Sequence, residues 1–347
     1  MKTASGYIVS PLYGHVLIIG APLIFMGVAM LLFYSGLEDV EVMFRGNSYG
    51  DLDHWMYVFA YIFTMSHLSL VFFRSHLNLN IFKQFPARFT LVPLVGFAGL
   101  YCSDAVLALA LACIPWFDVY HSSLQTFGLG RIYDLRAGND LQVGRRLDYC
   151  LALVTYAGPI LAGEGLYRYI KSFRHFEDIE WHKLASIPGW ALEHQHQNIT
   201  PFVIGGAVLF LCYYLYRYWQ YQKLGYVVTW QKVALHVSLA VCSVYTWGFN
   251  SYGQAFFIME SYHALQYYAL VWWSENKNVQ SRLGVDQMKG GKIFALSVIL
   301  GTTFAYGGFA YIFSGSARAV TALLLIVEFL HYWYDGFVWS VRKKQVA

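Results

Sequence analysis

The chain has 347 residues, of which 57% are apolar, 19% aromatic and only 13% charged, roughly half the charged share of a soluble globular domain. Its formal charge of +4 is small, and the basic residues sit in short clusters between apolar runs, which argues against a nucleic-acid partner and reads as control of membrane topology. The five cysteines (Cys102, Cys113, Cys150, Cys212 and Cys242) all lie in apolar stretches without close pairing, so they read as small buried hydrophobes rather than disulfides or a thiolate metal site.

Apolar windows of about 20 residues, the length that crosses a bilayer, fall near 12–35, 54–76, 88–113, 116–134, 147–168, 200–221, 229–250, 253–273, 293–313 and 317–340. The first is too long for a signal-peptide core and is kept as a span. The fourth, which begins Trp116-Phe-Asp-Val-Tyr-His121, is polar for a lipid-facing helix and needs a place inside a bundle. Pro115, just before it, predicts a break between the third and fourth spans. The expected fold is therefore all-α: one polytopic transmembrane bundle of about ten spans covering residues 1–347.

Charge sets the expected orientation. Arg74, Lys83 and Arg88 follow the second window, Arg131, Arg136, Arg145 and Arg146 the fourth, Lys223 and Lys232 the sixth, Lys277, Arg282, Lys289 and Lys292 the eighth, and Arg342, Lys343 and Lys344 the tenth. The positive-inside rule then puts both termini and all these loops in the cytoplasm. The first opposite loop agrees, with Glu38, Asp39, Glu41, Asp51 and Asp53 against Arg45. Residues 169–199 carry mixed charge and the aromatics Phe173, Phe176, Trp181 and Trp190, which predicts a folded segment lying at the outer interface. The expected location is a multi-pass protein of a bacterial inner (plasma) membrane.

Five times the sequence places a carboxylate three residues before a histidine: Asp51 and His54, Asp118 and His121, Glu193 and His196, Glu260 and His263, Glu328 and His331. Random placement of the same residues predicts about one such pair. On a helix the two groups lie on one face, one turn apart. Each pair opens an even-numbered span, and all those spans run the same way, so the pairs gather from the outer boundary to the midplane. Three continue their stripe to a hydrogen-bonding group at i+7, namely Gln125, Tyr267 and Asp335. Asp51 or Asp53 can equally cap the second helix, and Glu193 with His196 lies in an exposed loop.

Intramembrane carboxylates and imidazoles are costly and mark function or a satisfied polar seam. Imidazole plus carboxylate is the ligand set of non-haem iron, manganese or zinc, and two Glu-x-x-His helices with added carboxylates build di-iron bundles. The expected metal ligands are Glu260, His263, Glu328 and His331, helped by His121, Asp118, Glu164 and His196. Asp104, Gln125, His67, His194, Tyr267 and Asp335 are expected to support them. On these residues the chain loosely resembles the histidine-rich integral-membrane oxygenases, the hydroxylase and desaturase class, although it lacks their His-x-x-His-His clusters and its closest histidine pair is His194 and His196. That resemblance implies an iron centre, of one or two ions, and an oxidoreductase acting on a lipid or other apolar substrate with a redox partner or membrane complex. Two other readings stand beside it: a proton- or ion-coupled transporter using the same Glu and His groups, and a haem-binding or accessory subunit of an electron-transfer complex.

Overall fold

The computed structural model describes residues 6–34, 52–163, 165–250 and 252–339, and every regular element among them is helical. The principal helices are α1 (Ala21–Tyr34), α2 (Leu52–Ser69), α3 (Pro86–Cys102), α4 (Asp104–Arg136), α5 (Arg145–Ala162), α6 (Thr200–Lys223), α7 (Trp230–Phe249), α8 (Tyr252–Arg282), α9 (Gly291–Phe313) and α10 (Arg318–Val338). The acidic loop before α2, Glu164, Asp51, the side chain of His54 and the basic residues Arg342 to Lys344 lie outside the described residues.

Local chemistry sets several helix starts. Pro86 occupies the first turn of α3, where its missing N–H costs nothing. Ser103 caps α4 by accepting a hydrogen bond from the Val106 N–H at 3.3 Å, and Thr229 caps α7 through the Lys232 N–H at 3.4 Å. The break expected at Pro115 is not where the chain breaks: α4 runs through Pro115 from Asp104 to Arg136, and the interruption falls at Ser103, whose backbone is extended (φ −126°, ψ 121°). A capping hydroxyl there opens a new helix, whereas a proline packed inside a bundle is tolerated because its neighbours hold the chain straight.

Among the described residues, length and apolarity qualify four helices or helical runs to cross a membrane: Val58–Ser75, Asp104–Arg136, His182–Lys223 and Gly291–Phe313. A fifth is added if Pro11–Ile19 and Ala21–Leu32, bent by 57° to each other, count as one span. The apolar window of the run through α6 has none of its residues buried, and Phe202, Leu209 and Leu215 stand on its surface at 81%, 73% and 60% exposure. Apolar surface on that scale needs a partner or lipid to cover it. By contrast α8 and α10, which carry the most polar faces, are sunk in the bundle. Packing of α9 on α2 is close enough that a Cβ at Gly307 would meet the Ile62 carbonyl oxygen at 2.3 Å, the backbone approach that small residues permit between helices.

Residues 169–199 fold as short helical turns. Ser172 donates to the Ala112 carbonyl of α4 at 2.8 Å, and Trp116 packs its ring against Tyr169 and Phe173. Trp181 and Trp190 remain about half exposed, at 51% and 57%, as amphipathic rings at a boundary do.

The basic-rich ends of α4, α5 and α7 meet in a buried ionic network. Lys232 Nζ donates to Asp134 at 2.9 Å and Asp148 at 2.7 Å, and Arg131 reaches the same two carboxylates at 2.6 and 2.7 Å. Tyr214 donates to Asp148 at 2.9 Å, while Tyr218 and Tyr226 donate to Asp148 and Asp134. Burial, then the contact with Asp134, pushes the Tyr226 phenol above its ordinary range, so it stays a donor. Two cations, two anions and three phenols close on themselves. Removing one cation strands the buried carboxylates: Lys232→Met should lower stability by about 3–5 kcal/mol, seen as a large fall in the melting temperature of the solubilised protein, whereas Lys289→Met at the surface should leave it unchanged.

Candidate metal centre

Three helices carry the same stripe, and they pack in parallel and in register, so each level of the stripe meets its counterparts. At the first level Asp118 (α4), Glu260 (α8) and Glu328 (α10) come together. Tyr332 donates to Glu328 at 2.8 Å and to Asp118 at 3.5 Å, and Ser122 donates to Asp118 at 3.4 Å.

One turn further along, His121, His263 and His331 meet, and α2 inserts His67 among them. All four are buried, at 4%, 1%, 0% and 2% exposure respectively. Their rings form a closed circuit: His67 to His263 is 5.1 Å between centres, His263 to His121 is 5.1 Å, His121 to His331 is 4.5 Å and His331 to His67 is 5.0 Å. The ring nitrogens of His67, His263 and His331 lie within 4.8 Å of one another, as do ligand atoms of His121, His331 and Asp335.

The third level supports the second. Gln125 donates to the His263 carbonyl at 3.3 Å and to Gln266 at 2.9 Å, and Gln266 donates to the Ile18 carbonyl ahead of α1 at 2.6 Å. Asp335 accepts from Tyr267 at 2.7 Å and from Trp339 at 2.9 Å, and its other oxygen lies 3.9 Å from His121 Nε2.

Among the described residues of this column, unpartnered buried atoms are concentrated at the imidazole level, with the Gln125 Oε1 the one other case on the stripe. His67 Nε2, His121 Nε2, His263 Nε2 and both ring nitrogens of His331 are buried without a hydrogen-bond partner. Buried polar atoms are almost always paired, so these nitrogens, in two groups that share His331, call for a partner. The His67 Nδ1 is hydrogen-bonded to the Thr64 carbonyl. A bond of that kind fixes the tautomer and leaves Nε2 with its lone pair facing the other rings, as in histidines that hold metals. The spacing agrees: an ion about 2.1 Å from each nitrogen puts the centres of neighbouring imidazoles roughly 4.5–5 Å apart.

The expected ligand set is thus sorted rather than mixed. His121, His263 and His331 share the nitrogen-lined group, His67 and Asp335 move from supporting positions into it, and Asp118, Glu260 and Glu328 form a separate carboxylate group one turn away. Gln125 and Tyr267 support the group as their stripe positions suggest. Asp104 is far off, at the exposed start of α4, where it pairs with Arg318. His194 stacks on Trp190, 4.9 Å between ring centres, and His196 is exposed, so neither faces this group. The sequence reading missed the Thr64 carbonyl, which leaves no trace in residue type, and Gln266, whose amide was a visible polar group next to the stripe.

A cleft of about 790 Å³ opens beside the imidazole level, with His121 and Asp335 in its wall. No protein-family model matches the chain, and neither a curated protein nor a solved structure matches it.

The carboxylate level depends on its donors. Tyr332→Phe removes the phenol shared by Glu328 and Asp118 and should cost about 1–3 kcal/mol, measurable as a lower melting temperature without loss of helix content by circular dichroism.

Proposed function

We propose that this chain is a membrane-embedded, metal-dependent oxidoreductase acting on an apolar substrate, with His67, His121, His263 and His331 as the nitrogen ligands of one ion and Asp335 beside it. The observation that carries this reading is the set of unpartnered imidazole nitrogens converging from four helices in a buried site. Burying one such nitrogen costs free energy. Burying several together is accounted for when one ion takes a single nitrogen from each ring.

Neutral nitrogen donors suit iron, zinc or copper, and we assign iron because a redox-active ion bound there supplies the dioxygen chemistry that modifies an unactivated apolar chain. The residues around it have separate tasks. Thr64 and Gln125 hold the His67 and His263 elements in place, Asp335 orients toward His121 with help from Tyr267 and Trp339, and the surrounding apolar bundle excludes bulk water. Asp118, Glu260 and Glu328 lie together in the buried interior, where neighbouring carboxyls do not all ionise at low cost, and with Tyr332, which donates to Glu328 and Asp118, they form a proton store one turn from the imidazoles. Electrons for an oxidation with dioxygen come from a redox partner. The bundle is read as about ten spans with both termini cytoplasmic, on the charge asymmetry of its loops and the apolar exterior of α6.

The same carboxylate group favours a second reading, a proton- or ion-coupled transporter. A haem is disfavoured: two axial imidazoles flank a flat macrocycle, and four rings in a closed circuit at 4.5–5.1 Å leave no slab for one.

Elemental analysis of the mildly purified protein should find one iron per chain without a Soret band. His263→Ala and His331→Ala should each abolish binding, a loss of at least about tenfold as for ligand removal, while Glu260→Gln and Glu328→Gln should retain the ion and lose turnover. Wild-type protein free of any transition metal yet able to move protons across vesicles would sink the enzyme and promote the transporter.

A further inference from the structure

The cleft beside the imidazoles has a polarity of its own. Its length is apolar, lined by Phe117 and Leu124 of α4, Phe329, Leu330 and Trp333 of α10 and Val92 of α3. The imidazole level lies part of the way along it, with His121 and, one turn on, the carboxylate of Asp335 in the wall. At one end are Gln142, Arg131 and Arg145. Arg131 is already neutralised by Asp134 and Asp148. Arg145 is not: it is exposed at the first turn of α5, its guanidinium lies 5.9 Å from the centre of the Phe127 ring, and among the described residues no carboxylate pairs with it.

We propose that the cleft binds a single-chain amphiphile with an anionic head, a long-chain carboxylate in its simplest form, with the head on Arg145 and the chain running past His121. The inference rests on the metalloenzyme reading in taking this occupant for the substrate. Charge complementarity orients it, because Arg145 attracts an anion at one end while the Asp335 carboxylate in the wall keeps the head from sliding inward toward the imidazoles. Size limits it to one chain, since about 790 Å³ lies within the range of pockets that enclose one medium-sized ligand. Register sets the reacting position. Phe127, under Arg145, is six residues beyond His121 on α4, about 9 Å at 1.5 Å per residue, so the ligand's middle methylenes, not its head, face the imidazoles. The positive-inside rule places Arg145 at the cytoplasmic boundary, where lipid carboxylates reside.

The test uses the intact protein in phosphatidylcholine nanodiscs, with two photoreactive probes carrying a mid-chain diazirine: a long-chain fatty acid and the primary alcohol of equal length. Metal is counted in the same samples. The fatty acid should label Leu124, Phe329 or Leu330 about fivefold more than the alcohol, the ratio a single partly exposed charge pair supports. Arg145→Gln should erase that preference. Gly128 lines the cleft and has open space where its Cβ would be, so Gly128→Phe should block labelling by both probes with the metal content unchanged. Equal labelling by both probes in the wild type, labelling indifferent to Gly128→Phe, or capture of the phosphatidylcholine matrix lipid instead would overturn the inference while the metal count stands. Selective labelling of a metal-free protein would support the anion-selective cleft and fail the metalloenzyme reading alone.

Discussion

Everything in this bundle turns on the cost of placing polar groups where water cannot reach them. α4, α8 and α10 each bring a carboxylate, an imidazole and a third hydrogen-bonding group at one-turn intervals into an apolar interior. Parallel packing in register brings like groups together at each level: Glu328 and Asp118 share the Tyr332 phenol, and the third level holds the Gln125–Gln266 and Tyr267–Asp335 hydrogen bonds. Only the imidazole level is left with several unpaired nitrogens. A packed apolar seam would have been cheaper to build, and the unsatisfied imidazoles are what the proposed ion accounts for.

The rest of the fold serves that register. The ionic network of Arg131, Asp134, Asp148 and Lys232 ties α4 to α5 and α7 near the far end of α4. Arg74 pairs with Glu275 at 2.5 Å and holds the chain after α2 to the later part of α8. Between these anchors, α2 is pressed against α9 by the close approach at Gly307, which keeps His67 facing its three counterparts. Rotating any of the four helices by one residue, 100°, would turn its imidazole out of the circuit. The carboxylate group and the imidazole group are therefore coupled mechanically, since both ride on the same three helices, and a proton moving at one level changes the field at the next.

Much of the column was legible in the residues. The repeated Asp/Glu-x-x-His spacing, its extension to Gln125, Tyr267 and Asp335, and the parallel sense of the helices that carry it follow from helical periodicity in a chain that must alternate direction at each turn. Less legible was the pairing between helices. Sequence spacing says that Glu260 and His263 share a face, but which residue of another helix meets each one depends on register, and register placed carboxylates against carboxylates. His67 had no acidic neighbour three residues earlier to distinguish it from a packed core histidine, and its importance comes from the position of α2. Glu193 and His196 carried the pattern without the burial. Pro115 is a strong break signal in isolation, and packing overrode it, while Ser103, a weaker signal, ended the preceding helix because its hydroxyl could cap the next.

The central claim is that four imidazoles from four helices surround one ion. X-ray absorption at the metal edge of the purified protein tests it most directly. The account predicts about four nitrogen neighbours near 2.1 Å with the multiple scattering typical of imidazole, and loss of roughly one such contribution in His67→Ala if that variant retains the ion. A coordination sphere of oxygen alone, without imidazole scattering, would contradict it and move the metal to the carboxylates of Asp118, Glu260 and Glu328.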